Sequence, residues 1–256
     1  MLNSKENNLY KVLCQKSKKH KYLYHYTNIS SFKKIIKDRS LKLTRLSKVN
    51  DLYEDERITN LHKDKIYVAC FTHRHYESVF MWKEYTDEDK GVIIRFNNFN
   101  NYDKIIYGMG DDCHYRFNKI KKSDLDHKSY DKVSDWGYLD ITIADIEYTE
   151  DFCKYKYTDN QLRNIFNDTI IFENPNDNFI KHRYQALVKG IEWNNEEETR
   201  IRVALRPKGM ENILNESSFI QPTPCFDNIF LKLSDPILNE LKIIINPWAN
   251  SNFKSQ

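Results

Sequence analysis

The feature that most constrains the fold is the segment 196–205, in which charged and apolar side chains alternate. Successive residues of a β-strand point to opposite faces of its sheet, so this alternation predicts a strand. The face expected to be buried consists of Glu197, Thr199, Ile201, Val203 and Leu205. The face expected to present charges consists of Glu196, Glu198, Arg200 and Arg202. The chain therefore needs a sheet with at least one face covered by a core.

Other short segments have strand length and are rich in β-branched, aromatic and other apolar residues. They are residues 21–26, 41–46, 65–72, 91–96, 140–148, 229–233 and 241–245. Helices are predicted after Asn28, which is well placed as an N-cap, and over 77–85, 161–172 and 177–189, the last ended by Gly190. This irregular mixture favours an α+β fold with a mixed, mainly antiparallel central sheet of about seven strands and flanking helices.

The sequence predicts one domain. Gly and Pro number 6 each, and the chain has no Pro-, Ser- or Gly-rich linker and no repeat. Residues 1–20 are Lys-rich and polar, which is typical of a short helix or a loose arm. We therefore expect such an N-terminal segment, followed by a single α+β domain over 21–256.

Composition excludes several classes of protein. The net charge of +3 comes from 40 basic and 37 acidic residues, far from the excess of a dedicated nucleic-acid binder. The sequence has no long apolar run and no apolar secretory segment at its start, so we expect a cytoplasmic protein without a membrane partner. The 5 cysteines are widely spaced without a C-x-x-C pair, which fits a reducing compartment.

The tripeptide His25-Tyr26-Thr27 lies where a predicted strand leads into a helix. Side chains and free backbone N–H groups can face a ligand together at such a junction. An imidazole suits a ribose hydroxyl, and Thr27 adds a second donor or acceptor. The alternative is structural: Thr27 caps the helix, and His25 is a satisfied, half-buried strand residue.

The pair Glu196-x-Glu198 places two carboxylates on one face of the predicted strand. Close like charges raise one pKa, and such a pair suits attack at an anomeric carbon. The alternative is a solvated strand face on which Glu196, Glu198, Arg200 and Arg202 pair across the sheet. Trp193, just upstream, would line a pocket or fill the core.

Known motifs of several other activities are missing from the sequence. His73-x-His75 and Cys113-His114 lack further ligands at a recognisable spacing, so the sequence predicts no metal site. It also has no Walker loop, G-x-G-x-x-G, G-x-S-x-G or H-E-x-x-H. Nothing in the motifs therefore indicates a P-loop NTPase, a Rossmann dehydrogenase, an α/β-hydrolase or a zincin.

Several segments, taken in order, resemble a bacterial family of unassigned function, the domain-of-unknown-function 2971 family. They are Leu23-Tyr24-His25-Tyr26-Thr27, Asn50-Asp51-Leu52-Tyr53-Glu54, Cys70-Phe71-Thr72, Met81-Trp82-x-x-Tyr85, Gly91-Val92-Ile93-Ile94-Arg95-Phe96 and Lys189-x-x-x-Trp193-x-x-Glu196-x-Glu198-x-Arg200. The resemblance covers roughly residues 21–246. Members usually have Pro after the Asn-Asp pair and Gly after the last apolar strand, where this chain has Leu52 and Asn246.

More distantly, the chain resembles ADP-ribosyltransferases with an early H-x-T and a late E-x-E, which implies NAD as substrate and a split sheet. The resemblance implies that His25 and Thr27 hold the nicotinamide-side ribose, with Tyr26 beside them, and that Tyr85 or another aromatic side chain stacks on nicotinamide. It implies that Glu198 stabilises an oxocarbenium-like state and that Glu196 orients the acceptor. The residues expected to contact the remaining substrate are Trp193, Arg200, Asn50 and Asp51.

The expected function is that of an NAD-dependent ADP-ribosyltransferase or NAD glycohydrolase, acting as a bacterial toxin or antiviral effector. The acceptor would be a protein, a nucleic acid or water. One alternative is a non-catalytic nucleotide- or partner-sensing module that keeps the pocket without turnover. Another is a metal-independent nuclease in which His25, Glu196, Glu198 and Arg200 surround a phosphodiester.

Overall fold

The helices of the computed structural model are short. The structure describes residues 8–49, 63–74, 77–87, 90–97, 118–119, 136–149, 186–207 and 224–249. In these ranges the α-helices are α1 (Asn8–Ser17), α2 (Ile29–Asp38), α3 (Val79–Tyr85) and α4 (Asp235–Glu240). The 3₁₀ helices are Leu46–Lys48, Lys63–Lys65 and Ile191–Glu196. Within the described ranges, no helix has the length and apolar character needed to cross a membrane.

Most of the described strands belong to one antiparallel sheet. The strands are β1 (Tyr22–Asn28), β2 (Ser40–Arg45), β3 (Ile66–Thr72), β4 (Gly91–Asn97), β5 (Asn118–Lys119), β6 (Trp136–Asp145), β7 (Glu147–Thr149), β8 (Val188–Gly190), β9 (Glu198–Pro207), β10 (Asn228–Lys232) and β11 (Lys242–Ile245). The sheet runs β11-β4-β1-β3-β9-β6-β5, with β2 joined to β3 and β10 joined to β2. Strands β7 and β8 form a separate parallel pair. The predicted α+β class with a mainly antiparallel sheet is confirmed.

The sheet forks at β3, and this fork positions the candidate site. One edge of β3 pairs along its whole length with β9. The other edge pairs with β2 at Val68 and with β1 at Thr72. Between these two points the pairing passes from one strand to the other, so β1 and β2 separate. Helix α2 connects them and packs against both.

A buried apolar cluster holds the sheet and helices together. Its members include residues from β1, β3, β4, β9 and β10, namely Leu23, Phe71, Ile94, Ile201, Val203 and Ile229, each at most 2% exposed. Ile35 of α2 and Ile237 of α4 belong to the same cluster. Each fully buried aliphatic side chain contributes roughly 1.5–3 kcal/mol to folding. The described part of the sheet therefore has a continuous core on the face that carries Ile201.

Asn28 begins α2 as the sequence predicts. Its side-chain Oδ1 accepts a hydrogen bond from the backbone N–H of Ser31 at 2.8 Å. This bond satisfies one of the donors that the first turn of a helix leaves free. The helix ends at Asp38 and is followed by its C-cap residue Arg39, which adopts a left-handed conformation with φ 51°. The direct passage from β1 into α2 keeps His25-Tyr26-Thr27 next to a helix start.

Two predicted elements are wrong in the region where β7 meets β8. The helix predicted over 177–189 is not helical at its described end, because Ala186 has φ 65° and Val188–Gly190 form β8; residues 177–185 and the helix predicted over 161–172 lie outside the described residues. The strand predicted over 140–148 is two strands, β6 and β7, interrupted at Ile146. The reason is tertiary: β7 pairs with β8, whereas β6 pairs with β9.

Strand β9 differs from its prediction in two respects. It begins at Glu198, because Glu197 has φ 44° and ends the 3₁₀ helix that contains Glu196. Its charged face is not presented to solvent, since Glu198, Arg200 and Arg202 are at most 3% exposed. The alternative of a solvated strand face is therefore wrong. The strand lies between β3 and β6, and its charged and apolar side chains are both buried.

The N-terminal segment forms a packed helix in its described part. Leu13 and Cys14 of α1 are buried, and the hydroxyl of Ser17 donates to the carbonyl of Ile143 at 3.2 Å. Of the two alternatives, helix and loose arm, the structure has the helix. Its packing on β6 brings the residues that follow it, up to His20, against the end of that strand.

Candidate functional site

A cavity of about 470 Å³ opens at the fork between β1 and β2. This is within the usual range of roughly 300–1,000 Å³ for small-molecule sites. Its walls come from β1, α2, β2, β3, α3, β8, β9, β10 and the 3₁₀ helix Ile191–Glu196. Segments that are far apart in the sequence therefore meet around one space.

His25 bridges the gap that the fork creates. Its Nδ1 lies 2.9 Å from the carbonyl oxygen of Cys70, between the points where β2 and β1 pair with β3. Since a carbonyl only accepts, Nδ1 carries the proton, and in the neutral ring Nε2 is an acceptor. Burial lowers the pKa of His25, which favours this neutral form. The cavity therefore contains an oriented imidazole with one nitrogen ready to accept.

Tyr26 and Thr27 follow His25 along the wall of the cavity. The Tyr26 ring packs edge-on against Trp82 at a centroid distance of 5.1 Å, and its hydroxyl accepts the backbone N–H of Ser78 at 3.3 Å. These contacts connect β1 to the start of α3. Both Tyr26 and Thr27 are 8% exposed. The tripeptide is thus part of a packed wall that leaves the His25 side chain half-buried.

Lys189 joins the two glutamates. Its Nζ donates to Glu196 Oε2 at 2.6 Å and to Glu198 Oε2 at 3.2 Å, and the three side chains are 3–4% exposed. Glu196 ends the 3₁₀ helix and Glu198 begins β9, so the left-handed turn at Glu197 points both carboxylates at one ammonium. The cation between them offsets their mutual repulsion.

Arg200 holds Glu198 from a second direction. Its Nε donates to Glu198 Oε1 at 2.5 Å and its Nη2 donates to Oε2 at 3.1 Å, a forked pair. Its Nη1 donates to the carbonyl of Ala186 at 2.9 Å. The backbone N–H of Glu198 donates to the Tyr148 hydroxyl at 2.8 Å. Glu198 is therefore fixed in orientation at both its main chain and its side chain.

The two glutamates have opposite pKa shifts. Burial would raise the pKa of Glu198, but the positive charges of Arg200 and Lys189 outweigh burial and lower it to about 2. Burial, followed by repulsion from Glu198, raises the pKa of Glu196 despite Lys189 and Tyr85. Glu198 is therefore a permanent anion at neutral pH, and Glu196 is the carboxylate that takes up a proton more readily.

Two aromatic side chains lie beside the glutamates. The Tyr85 hydroxyl donates to Glu196 Oε1, and burial together with the charge of Glu196 raises its pKa, so it stays a donor. The Trp193 ring lies 4.5 Å from Lys189 Nζ, measured to the ring centroid, which is a cation–π contact. Both residues line the cavity and offer apolar surface next to the buried charges.

The structure brings most of the predicted site residues around this one cavity. The residues in its wall are His25, Tyr26, Thr27, Tyr85, Trp193, Glu196, Glu198 and Arg200. Asn50 and Asp51 lie outside the described residues. That the eight act on a substrate stays a prediction, since their proximity alone does not establish chemistry.

Sequence reasoning missed three contributors. Lys189 and Cys70 appeared in the family resemblance but not among the predicted site residues, and Tyr148 had no site signal at all. Cys70 lines the cavity and its thiol has a pKa raised well above its usual value, first by burial and then by Glu198. The one available signal was an isolated lysine before Gly190, in a chain whose later glutamates need a buried counter-ion.

Searches of protein-family models, curated proteins and solved structures gave no match to this chain.

Proposed function

We propose that the protein binds NAD in the cavity at the fork and cleaves the bond between nicotinamide and ribose. The observation that carries this proposal is the meeting of His25-Tyr26-Thr27 with Glu196 and Glu198 around one cavity of about 470 Å³. These are the two elements for which the chain resembles H-x-T/E-x-E ADP-ribosyltransferases, and they come from opposite ends of the sequence. The cavity volume suits a ligand that inserts its nicotinamide half.

The carboxylates divide the work according to their pKa values. As the C1′–N1 bond breaks, its electron pair leaves with nicotinamide, and positive charge develops on the ribose. Glu198, with a pKa of about 2, is ionised and faces that charge. An acceptor hydroxyl or water attacks C1′ to form the new C–O bond. Its proton passes to Glu196, whose raised pKa suits a proton acceptor.

The other walls supply recognition. His25 Nε2 accepts a hydrogen bond from a ribose hydroxyl, with Thr27 beside it, and Tyr85 stacks on the nicotinamide ring. Lys34 and Lys42 are exposed lining residues from α2 and β2, which face the cavity across the fork. Their charges favour the pyrophosphate of NAD at the outer end. The imidazole therefore matches the ribose, the aromatic ring matches nicotinamide, and the lysines match the pyrophosphate.

The test compares wild type with Glu198→Gln and with Glu192→Gln as a matched control. Glu192 is exposed on the same 3₁₀ helix as Glu196 and lies outside the cavity wall. Each protein is incubated with labelled NAD and a cell lysate, and free nicotinamide and label on macromolecules are followed. We expect Glu198→Gln to lose roughly 10²- to 10³-fold in rate while it still binds NAD, because it loses charge in the transition state and keeps shape.

The rates of nicotinamide release by the three proteins decide between the outcomes. Nicotinamide release that depends on Glu198 and not on Glu192 supports NAD chemistry, and the labelled fraction identifies the acceptor class. Equal release by wild type and Glu198→Gln removes the proposed role of Glu198. Circular dichroism and thermal unfolding of each variant separate loss of chemistry from loss of fold.

One observation favours the non-catalytic alternative, a nucleotide-sensing module. Both oxygens of Glu198 are paired with Arg200, and Oε2 is also paired with Lys189, so much of its charge is already neutralised. A carboxylate in that state can bind and position a ligand, but it has less charge available to stabilise a new cation. Calorimetric binding of NAD by wild type with no release of nicotinamide in any lysate would establish this alternative.

A further inference from the structure

A second polar cluster lies on the opposite face of β9 from Glu198. Successive strand residues alternate between faces, so Thr199 points away from Glu198 and Arg200. There it contacts Asp145 at the end of β6 and His73 just after β3. His20, just after α1, contacts Asp145. The four side chains come from four separate segments of the chain. None of the four has a role in the proposed NAD chemistry.

We propose that His20, His73 and Asp145 bind a divalent transition-metal ion of the zinc class. Their ligand atoms all lie within 4.8 Å of one another. His20 Nε2 is 2.8 Å from Asp145 Oδ2, and His73 Nδ1 is 3.9 Å from Asp145 Oδ1. Ligand atoms about 2.1 Å from a tetrahedral ion are roughly 3.4 Å apart, so the two separations bracket that value.

The donor set selects the class of metal. Two imidazoles and one carboxylate suit zinc and its neighbours in the first transition row, whereas calcium and magnesium prefer oxygen ligands. The side chains of His20 and His73 are 21% and 23% exposed, so an ion and a completing water can reach them. Their rings are stacked, 3.9 Å apart and 5° from parallel, and one ring must tilt for both nitrogens to face one ion.

The surroundings resemble the outer shell of a metal site. The Thr199 hydroxyl donates to Asp145 Oδ1 at 2.7 Å, which orients the carboxylate. On the far side of His73, Nε2 lies 4.0 Å from the carboxylate of Glu197. This carboxylate places negative charge beside the ring, at a distance too long for a hydrogen bond. Glu197 adopts an uncommon left-handed conformation, φ 44°, that places its side chain on this face.

The sequence offered no metal site because the ligands are not near one another along the chain. His73 was considered only with His75, two residues away. Its partners in the structure are 53 and 72 positions distant, at His20 and Asp145. The proposal does not depend on NAD chemistry, and a protein with no NAD activity would still be expected to bind the ion.

The test is a titration of untagged, metal-free wild-type protein with Co²⁺, a spectroscopic substitute for Zn²⁺. We expect one equivalent to bind and to give the visible ligand-field bands of a four-coordinate site. Sulfur-to-metal charge transfer in the near ultraviolet should be missing, which distinguishes this site from the cysteines of the chain. Zn²⁺ should then displace Co²⁺ and remove the bands.

Variants assign the ligands. His20→Gln and His73→Gln should each abolish the bands, and Thr199→Val should weaken binding about 10- to 100-fold through the loss of its bond to Asp145. His25→Gln, which removes an imidazole on the cavity side, should retain full Co²⁺ affinity while losing NAD binding. The proposal is overturned if wild type gives no bands, or if the bands persist in both His20→Gln and His73→Gln. The wild-type titration decides the matter even where a variant fails to fold.

Discussion

The two faces of β9 are equally buried and chemically opposite. On one face Ile201 and Val203 are fully buried in the apolar core. On the other, Glu198 and Arg200 are buried to the same degree but carry full charges. Burial on the first face stabilises the fold, because apolar side chains leave water favourably. Burial on the second face costs free energy, because charged side chains lose their hydration.

The difference separates what stabilises the fold from what the fold supports. A buried ion pair rarely adds net stability compared with apolar residues of similar size. Net stability therefore does not explain the buried network of Lys189, Glu196, Glu198 and Arg200. It lies in the wall of the cavity, where fixed charges in a dry environment have the greatest chemical effect.

The largest effect is expected from Arg200→Leu, which leaves Glu198 with Lys189 as its remaining charged partner. Removing one partner of a buried ion pair costs about 3–5 kcal/mol of unfolding free energy, because the remaining charge stays buried with only part of its compensation. Arg39→Leu is the control: Arg39 pairs with Asp235 at the surface, where a salt bridge contributes less than about 1 kcal/mol. Urea unfolding measures both. If both variants lose the same small amount of unfolding free energy, the ion pair of Arg200 contributes no more than a surface salt bridge.

The apolar face should behave differently in Ile201→Ala. We expect a loss of about 2–5 kcal/mol from the cavity left in the core, with NAD affinity unchanged at temperatures where the protein is folded. Ile245→Ala, at an exposed position of the edge strand β11, should change stability by about 0.5 kcal/mol or less. Chemical denaturation and calorimetry give the two numbers. A large fall in affinity for Ile201→Ala would show that the faces are not separable.

Acid should act mainly on the charged face. Because the folded pKa of Glu198 is about 2, below its ordinary value of 4.5, its ion pairs stabilise the protein above pH 4.5 and are lost as pH falls towards 2. Glu196 has the opposite shift: its pKa is raised in the folded protein, so its ionisation lowers the free energy of unfolding as pH rises above 4.5. The stability difference between wild type and Glu198→Gln should therefore shrink from pH 5 towards pH 2. Unfolding in urea across this range measures it, and a constant difference would contradict the assignment.

The smallest effect is expected from Tyr85→Phe. Loss of the hydroxyl that donates to Glu196 should lower the free energy of unfolding by roughly 1.5–3 kcal/mol, as for other hydrogen bonds to charged groups. The pKa of Glu196 should rise further, so the acid limb of the NAD-cleavage profile should move to higher pH. Tyr22→Phe, at the start of β1 where the ring contacts Tyr24 and Arg95, should leave the profile in place. An unshifted limb in Tyr85→Phe would remove Glu196 from proton transfer.

Much of the fold follows from local patterns in the sequence. The strands around His25, Cys70 and Ile94 were predicted nearly to their ends, because alternation and β-branched content report directly on a pleated, buried segment. Asn28 was predicted as an N-cap from its chemistry alone, and its bond to Ser31 confirms it. These features depend on neighbours within a few residues.

The errors lie where distant segments impose a conformation. The end of the predicted helix over 177–189 is drawn into a strand by its pairing with β7. Glu197 leaves the alternating pattern because the chain must turn sharply before β9. Neither effect has a local signal, since tertiary pairing overrides intrinsic propensity.

By itself the sequence determined the class of fold, the main strands and the residue types available for chemistry. Only the tertiary structure decided that His25 and Glu198 share one cavity, that Lys189 lies between the glutamates, and that His20, His73 and Asp145 meet. The physical reason is range. Propensity and alternation act over a few residues, whereas burial, ion pairing and pKa shifts depend on which segments pack together across the sheet.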